Sequence, residues 1–174
     1  GLEEIPPGCE GLVTLPYFAG ERTPINDPNA RGVIFGLNLS HTRRHLYRSA
    51  LEGIGFSLRQ HLDVLSTHQL PIRKLMAVGG GTKNPQWMQI IADILGQPIQ
   101  VSAVSVGAAY GDALMAALGT GRFAEFSQLR SVLSVERIYR PNQERHRAYQ
   151  TYYEVYQELY LQTKELMHRL QETL

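Results

Sequence analysis

The stretch LMAVGGGTKNPQW, residues 75–87, constrains the fold more than any other. An apolar run meets three consecutive glycines, and Asn84-Pro85 then opens a helix. A strand followed at once by a turn and a helix is the unit of proteins that alternate the two elements around a sheet. Glycines carry no Cβ, so a planar ligand can lie directly against their backbone. Asn84 is suited to cap the helix, and Pro85 fits its first position, where a missing N–H costs nothing. The helix start then presents free N–H groups and a positive dipole end to an anion. The competing reading is a plain chain reversal, although three glycines in a row are more than a turn needs.

Two well-known nucleotide patterns fail on these residues. As a dinucleotide fingerprint the turn has Asn84 where a third glycine belongs. Val101-Ser102 also stands where an acidic residue would end the next strand. A phosphate-cradling loop of the Gly-Lys-Ser/Thr kind is absent at the required spacing. The turn alone therefore leaves a ligand site and a structural turn both open.

The surroundings place the chain in the α/β class. Pro6, Pro7 and Gly8 make residues 1–10 an irregular lead-in. Residues 11–18 and 33–39 read as strands separated by a segment of turn formers. Ser40 is placed to cap a long helix reaching about residue 67, with Leu46, Ala50, Ile54, Leu58, Leu62 and Leu65 on one apolar face. Gly53 and Gly55 inside it each cost about 1 kcal/mol of helix stability, tolerable where another backbone must come close. After the glycine turn come a helix over residues 85–95, a glycine stop at Gly96, and a strand over 99–101. A small-residue helix over 107–118 follows, then a possible strand around 132–138. The final helix, residues 142 to about 172, carries Tyr149, Tyr153, Tyr156 and Tyr160 on one packing face.

Composition narrows the function classes. A net charge of +1 argues against a nucleic-acid surface, which shows a clustered basic excess. No apolar run approaches the roughly 20 residues of a membrane-spanning helix, and Gly-Leu-Glu-Glu-Ile-Pro-Pro does not have the basic start and apolar segment of a signal peptide. Cys9 is the only cysteine among 174 residues, which fits a reducing cytoplasm and forbids an intrachain disulfide. The missing initiator methionine leads us to expect a processed chain or a piece of a longer protein.

Other candidates carry less. His41 and His45 have the spacing of a metal pair, but Thr-Arg-Arg lies between them where a metalloprotease needs Glu, and two arginines repel a cation. Capping or solvated histidines fit better, and no metal site is expected. Glu52 is either a buried functional carboxylate or a paired helix residue. Glu21-Arg22 is either an interface ion pair or a surface pair. Asp63, Asp93 and Asp112 fall within helices and Asp27 within a turn, so none stands where a general base belongs.

Four segments in fixed order then resemble one family. GLVTLPYFAGERTPINDPNARGVIFGL, LYRSALEGIGFSLRQHL, AVGGGTKNPQWMQIIADILGQPIQV and GAAYGDALMAALGTG are similar to the C-terminal domain of FGGY carbohydrate kinases. The likeness runs over residues 11–121 and extends through Tyr139-Arg140-Pro141 into the Tyr-rich helix. Tyr110-Gly111-Asp112-Ala113 leans towards the xylulose kinase-like branch. The resemblance implies a ribonuclease H-like domain of the actin-like ATPase superfamily over residues 1–174, incomplete at its N-terminal edge. It implies that Gly79, Gly80 and Gly81 line the adenosine and α-phosphate of ATP, with Thr82 and Asn84 at the pocket edge. The small-residue helix corresponds to the family's interdomain connecting helix.

The implied activity is transfer of the γ-phosphoryl group of MgATP to a hydroxyl of a xylulose-like pentulose or related polyol. The general base, the sugar-binding residues and most Mg2+ ligands are expected outside these residues, so the 174 residues alone are expected to be inactive. The Tyr face and other helical faces leave a homodimer open. Two other readings stay in view: a non-catalytic assembly module of the same fold, and an actin-like ATPase with a non-sugar substrate.

Overall fold

The computed structural model describes residues 1–104 and 107–173. Strand β1 (Val13–Leu15) is buried at every position and pairs antiparallel with β2 (Val33–Phe35), Thr14 opposite Ile34. Both are shorter than the sequence suggests. A helical turn at Cys9–Gly11 precedes β1, and the segment between the two strands is pinned by side chains rather than by a ladder. Asp27 is the pin: it accepts from Tyr160 Oη and from the Asn29 N–H, and pairs with His168 Nε2 at 2.8 Å. Burial pushes its carboxyl up, but these hydrogen bonds outweigh that and hold it below the ordinary carboxylate value.

Helix α1 (Arg43–Thr67) is capped by Thr42, not by Ser40. Thr42 Oγ1 accepts from the Arg44 N–H while His45 Nδ1 accepts from the Thr42 N–H, a reciprocal capping box. Ser40 is spent two residues earlier, where its N–H and hydroxyl both donate to Asn38 Oδ1 in a tight turn. The buried face of α1 also differs from the leucine stripe. Arg48, Ser49, Leu51, Glu52, Gly53, Gly55 and Phe56 are buried, whereas Leu46, Leu58 and Leu65 are exposed. Gly53 explains the choice: a Cβ there would stand 2.3 Å from the Thr14 carbonyl oxygen, so the helix lies on the backbone of β1 at a distance only glycine permits.

Helix α2 (Pro85–Leu95) follows strand β3 (Leu75–Ala77) and the glycine turn, and packs against α1. Gly96 ends it with φ +65, the left-handed conformation of a helix stop. Strand β4 (Ile99–Ser102) runs parallel to β3, and β5 (Val135–Tyr139) pairs antiparallel with β4. The sheet order is therefore β3-β4-β5, with Met88, Ile91, Ala92, Ile99, Val101 and Tyr139 forming a core between it and α2.

Helix α3 (Ala108–Gly119) has no buried residue among those described. Helix α4 (Gln143–Gln171), capped by Asn142, closes the larger core. Tyr149, Tyr153, Tyr156 and Tyr160 meet Val13, Leu15, Tyr17, Phe56 and Ile94 there. Each buried phenol finds a partner, as buried Tyr must: Tyr149 donates to Glu52, Tyr153 to Asp63, Tyr156 to Tyr17 and Tyr160 to Asp27. The tyrosine face packs inside the chain.

Candidate functional site

The glycine turn lies at the carboxyl end of β3, next to the carboxyl end of its parallel neighbour β4. In open α/β sheets that end of the strands is where ligand crevices form. Residues Gly80–Lys83 make one turn of 3-10 helix that leads into α2. Thr82 holds the turn closed, its N–H and its Oγ1 both donating to the Gly79 carbonyl, at 3.2 and 2.7 Å. Asn84 Oδ1 accepts from the Trp87 N–H at 3.1 Å, and Pro85 takes the first helical position. The helix start therefore forms as its sequence dictates.

The three glycines are there for three different reasons. Gly79 has φ +91, a conformation that side-chain-bearing residues avoid. A Cβ on Gly81 would sit 2.7 Å from Trp87 Cζ3, so that glycine makes room for the indole. Gly80 has neither reason: no atom lies within 4 Å of where its Cβ would be. Its surface opens outward in the short 3-10 turn that leads into α2. No hydrogen bond to the Gly80 or Gly81 N–H occurs among the described residues. Backbone donors, a helix dipole and an open glycine surface together suit an anionic ligand with a flat group.

Beside the turn is a cavity of about 300 Å³ between the start of α2 and the β4–β5 pair. Thr82, Lys83, Val101, Ala103, Arg137 and Tyr139 are among its walls. Of the five expected ligand residues only Thr82 reaches this cavity; Gly79, Gly80, Gly81 and Asn84 stand outside it. The Asn84 carbonyl oxygen is engaged as the cap, which leaves its amide nitrogen for other partners. Sequence reasoning did not single out Arg137, Tyr139 or Trp87. The first two come from a strand some 50 residues on that only the sheet pairing brings near, through the register Ile99 opposite Tyr139. Trp87 gave a signal that went unread: it is the one tryptophan of the chain, three residues past the cap.

The remaining candidates lie elsewhere and do structural work. Glu52 is fully buried, accepting from Arg48 Nε at 2.8 Å, Tyr149 Oη at 2.9 Å and the Gly8 N–H at 3.1 Å. Cys9 Sγ donates to the same carboxylate, and burial together with that charge pushes the thiol well up, so it is no nucleophile. Arg48 also donates to the Leu2 carbonyl, so the pair fastens the irregular N-terminal segment to α1 and α4. Among the described residues Glu21 makes no ion pair with Arg22; its carboxylate accepts from the Thr23 N–H within its own loop. His41 Nδ1 accepts from the Asn38 N–H and His45 completes the helix cap. Asp93 is buried on α2 and accepts from the Asn142 N–H and Arg145, which ties α2 to the start of α4.

Comparison with known proteins adds four findings. A family model described as the FGGY family of carbohydrate kinases, C-terminal domain, matches residues 2–120. Xylulose kinase from Staphylococcus epidermidis is 36% identical over 160 residues, which are 91% of this chain and 32% of that protein. The crystal structure of xylulose kinase from Rhodospirillum rubrum superposes with a TM-score of 0.82 at 36% identity, over 96% of this chain and 33% of the other. Plasmodium falciparum glycerol kinase, solved with ADP, superposes with a TM-score of 0.72 at 25% identity, over 86% of this chain and 30% of the other. The chain spans about a third of the length of the curated relatives it matches.

Proposed function

The chain belongs to the FGGY family of carbohydrate kinases and has its actin-like, ribonuclease H-like fold; from that premise we propose that it is the ATP-binding domain of a sugar kinase. The acceptor is a hydroxyl of a pentulose such as xylulose, or of a related sugar or polyol. The observation that carries this reading is Gly80: an exposed glycine with no steric or conformational need of its own, in the turn between two parallel strand ends and α2.

ATP supplies the γ-phosphoryl group that passes to the sugar hydroxyl. The contribution of this chain is to bind and orient the nucleotide. Gly79 and Gly80 offer the adenosine a wall without side chains, and the Gly80 and Gly81 N–H groups face the α-phosphate side. Thr82 keeps the turn in shape through the Gly79 carbonyl, and Asn84 caps the helix that follows it. Among the described residues no three His, Cys, Asp or Glu side chains cluster as a metal site. Independently of that, we propose that the Mg2+ that accompanies ATP is held mainly by residues outside this chain, and that the general base comes from there too. No helix described here is long and apolar enough to cross a membrane. From its likeness to xylulose kinases we propose a cytoplasmic enzyme.

Calorimetric titration of the full-length protein with ADP, followed by an assay of ADP release with D-xylulose or glycerol as acceptor, tests this reading. Binding of ADP and acceptor-dependent ADP release are expected. Absence of ADP binding overturns it, and ADP release that no sugar or polyol stimulates moves the chain to the non-sugar ATPase reading.

A further inference from the structure

Trp87 is the only tryptophan of the chain and occupies the first turn of α2, half-buried below the glycine turn. Three of its groups hold three different elements. Its backbone N–H donates to the Asn84 cap. Its indole Nε1 donates to the Leu51 carbonyl of α1 at 3.3 Å. Its six-membered ring lies against Gly81, with Cζ3, Cε3 and Cη2 at 2.7, 3.4 and 3.5 Å from where a Cβ would be. The same side chain packs on the core formed by Met88, Ile91, Val101 and Tyr139.

An open run of glycines has the conformational freedom that makes it useful and also makes it costly to hold in one shape. Thr82 closes the turn on its own backbone, but that bond fixes the turn only within itself. Fixing it relative to α1 and α2 requires a contact from outside, and the indole provides one. We propose that Trp87 is a positioning residue for the nucleotide: it braces Gly81 from beneath, so that the Gly79–Gly80 surface and its N–H groups are already in place when ATP arrives. Pre-organisation of this kind acts on binding, because the ordering entropy of the turn is lost on folding rather than when the ligand binds. The inference rests on the nucleotide-binding reading given above.

The experiment uses the full-length protein as wild type, Trp87→Ala and Trp87→Phe. Trp87→Ala removes the brace and is expected to raise the Kd for ADP and the KM for ATP about tenfold, with the KM for the acceptor sugar unchanged. Trp87→Phe keeps a ring near the Cε3 position but loses the Nε1 bond to Leu51, so its KM for ATP falls between the two. It also keeps the core filled, so the same split in KM is readable even where Trp87→Ala does not fold. A second readout is tryptophan emission. The ADP-dependent change that wild type shows and Trp87→Phe lacks comes from this indole, and that difference is expected to be present. Equal rises in the KM for ATP and for sugar, or an ADP affinity that neither substitution changes, overturn the assignment while leaving the kinase reading intact. Wild type that does not bind ADP overturns both.

Discussion

At the scale of single residues, adjacent glycines of one turn separate ligand binding from folding. Gly80 faces open space and Gly81 faces an indole, so the same substitution at each has different consequences. Gly80→Val puts its side chain where the adenosine is proposed to lie. It is expected to weaken ADP binding by more than about 1.4 kcal/mol, a factor of ten. The melting temperature stays close to wild type, because an exposed substitution with no neighbour costs within about 0.5 kcal/mol. Gly81→Val drives a branched side chain into Trp87 and is expected to cost about 1–3 kcal/mol of stability as well as affinity. Titration calorimetry and thermal unfolding on the two variants measure both quantities. Equal losses of stability and affinity at position 80 would remove the main support for the ligand wall. Asn84 and Pro85 needed no structure to be read, since capping chemistry is local. Trp87 did, because its partners Gly81 and Leu51 are set by how α1 meets α2.

Among the elements, α1 shows how far a periodic pattern reaches. Its leucines recur at helical spacing and gave the helix, yet they did not identify its buried face. A side of Ser, Gly, Arg and Glu lies inward because the Gly53 backbone can touch the Thr14 carbonyl and the Arg48–Glu52 pair finds Tyr149, Gly8 and Leu2. Hydropathy periodicity ranks side chains by transfer free energy and is blind to both devices. The segment over residues 122–141 stayed ambiguous for a related reason: β5 is mostly exposed, and only its pairing with β4 makes it a strand. Where caps carry the information, as at Asn84 with Pro85, the start of α2 matches the sequence reading. The two glycines of α1 turn this distinction into a measurement. Replacing Gly by Ala in a helix gains about 1 kcal/mol of propensity wherever the space exists. At Gly53 the new Cβ meets a backbone oxygen at 2.3 Å, which cannot move without β1. Gly53→Ala is expected to be destabilising by about 1–3 kcal/mol in chemical denaturation despite that gain. At Gly55 the obstacle is the Ile94 Cδ1 methyl at 2.6 Å, the end of a side chain rather than backbone, so Gly55→Ala is expected to cost clearly less than Gly53→Ala. A Gly53→Ala protein as stable as wild type would mean that α1 does not lie on β1 at this distance.

On the scale of the whole molecule, two features leave apolar surface without cover. Helix α3, AAYGDALMAALG, is apolar around most of its circumference and has no buried position among the described residues. A groove of about 450 Å³ runs between Leu58 and Leu62 of α1 and Leu75 and Met76 of β3, whose outer edge has no strand partner among those described. A helix that is hydrophobic on all sides is stable only when packed on more than one side. The chain spans about a third of the length of its relatives, and we propose that α3 connects two domains. Small residues at Ala108, Ala109, Gly111, Ala113, Ala116 and Ala117 suit that role, because they let a second domain approach and shift against the helix without bulky side chains interlocking. Hydrogen exchange separates an interdomain helix from one that is stable on its own. Among these 174 residues alone, amides of Ala108–Gly119 are expected to exchange far faster than those of Pro85–Leu95, since local opening there exposes no core. In the full-length protein they are expected to slow by about tenfold or more, and to slow further with ADP if closure of the two domains on the nucleotide presses on this helix. Exchange in α3 that is already as slow as in α2 among these 174 residues alone would show that this helix needs no second domain, and the two-domain arrangement would lose its structural argument.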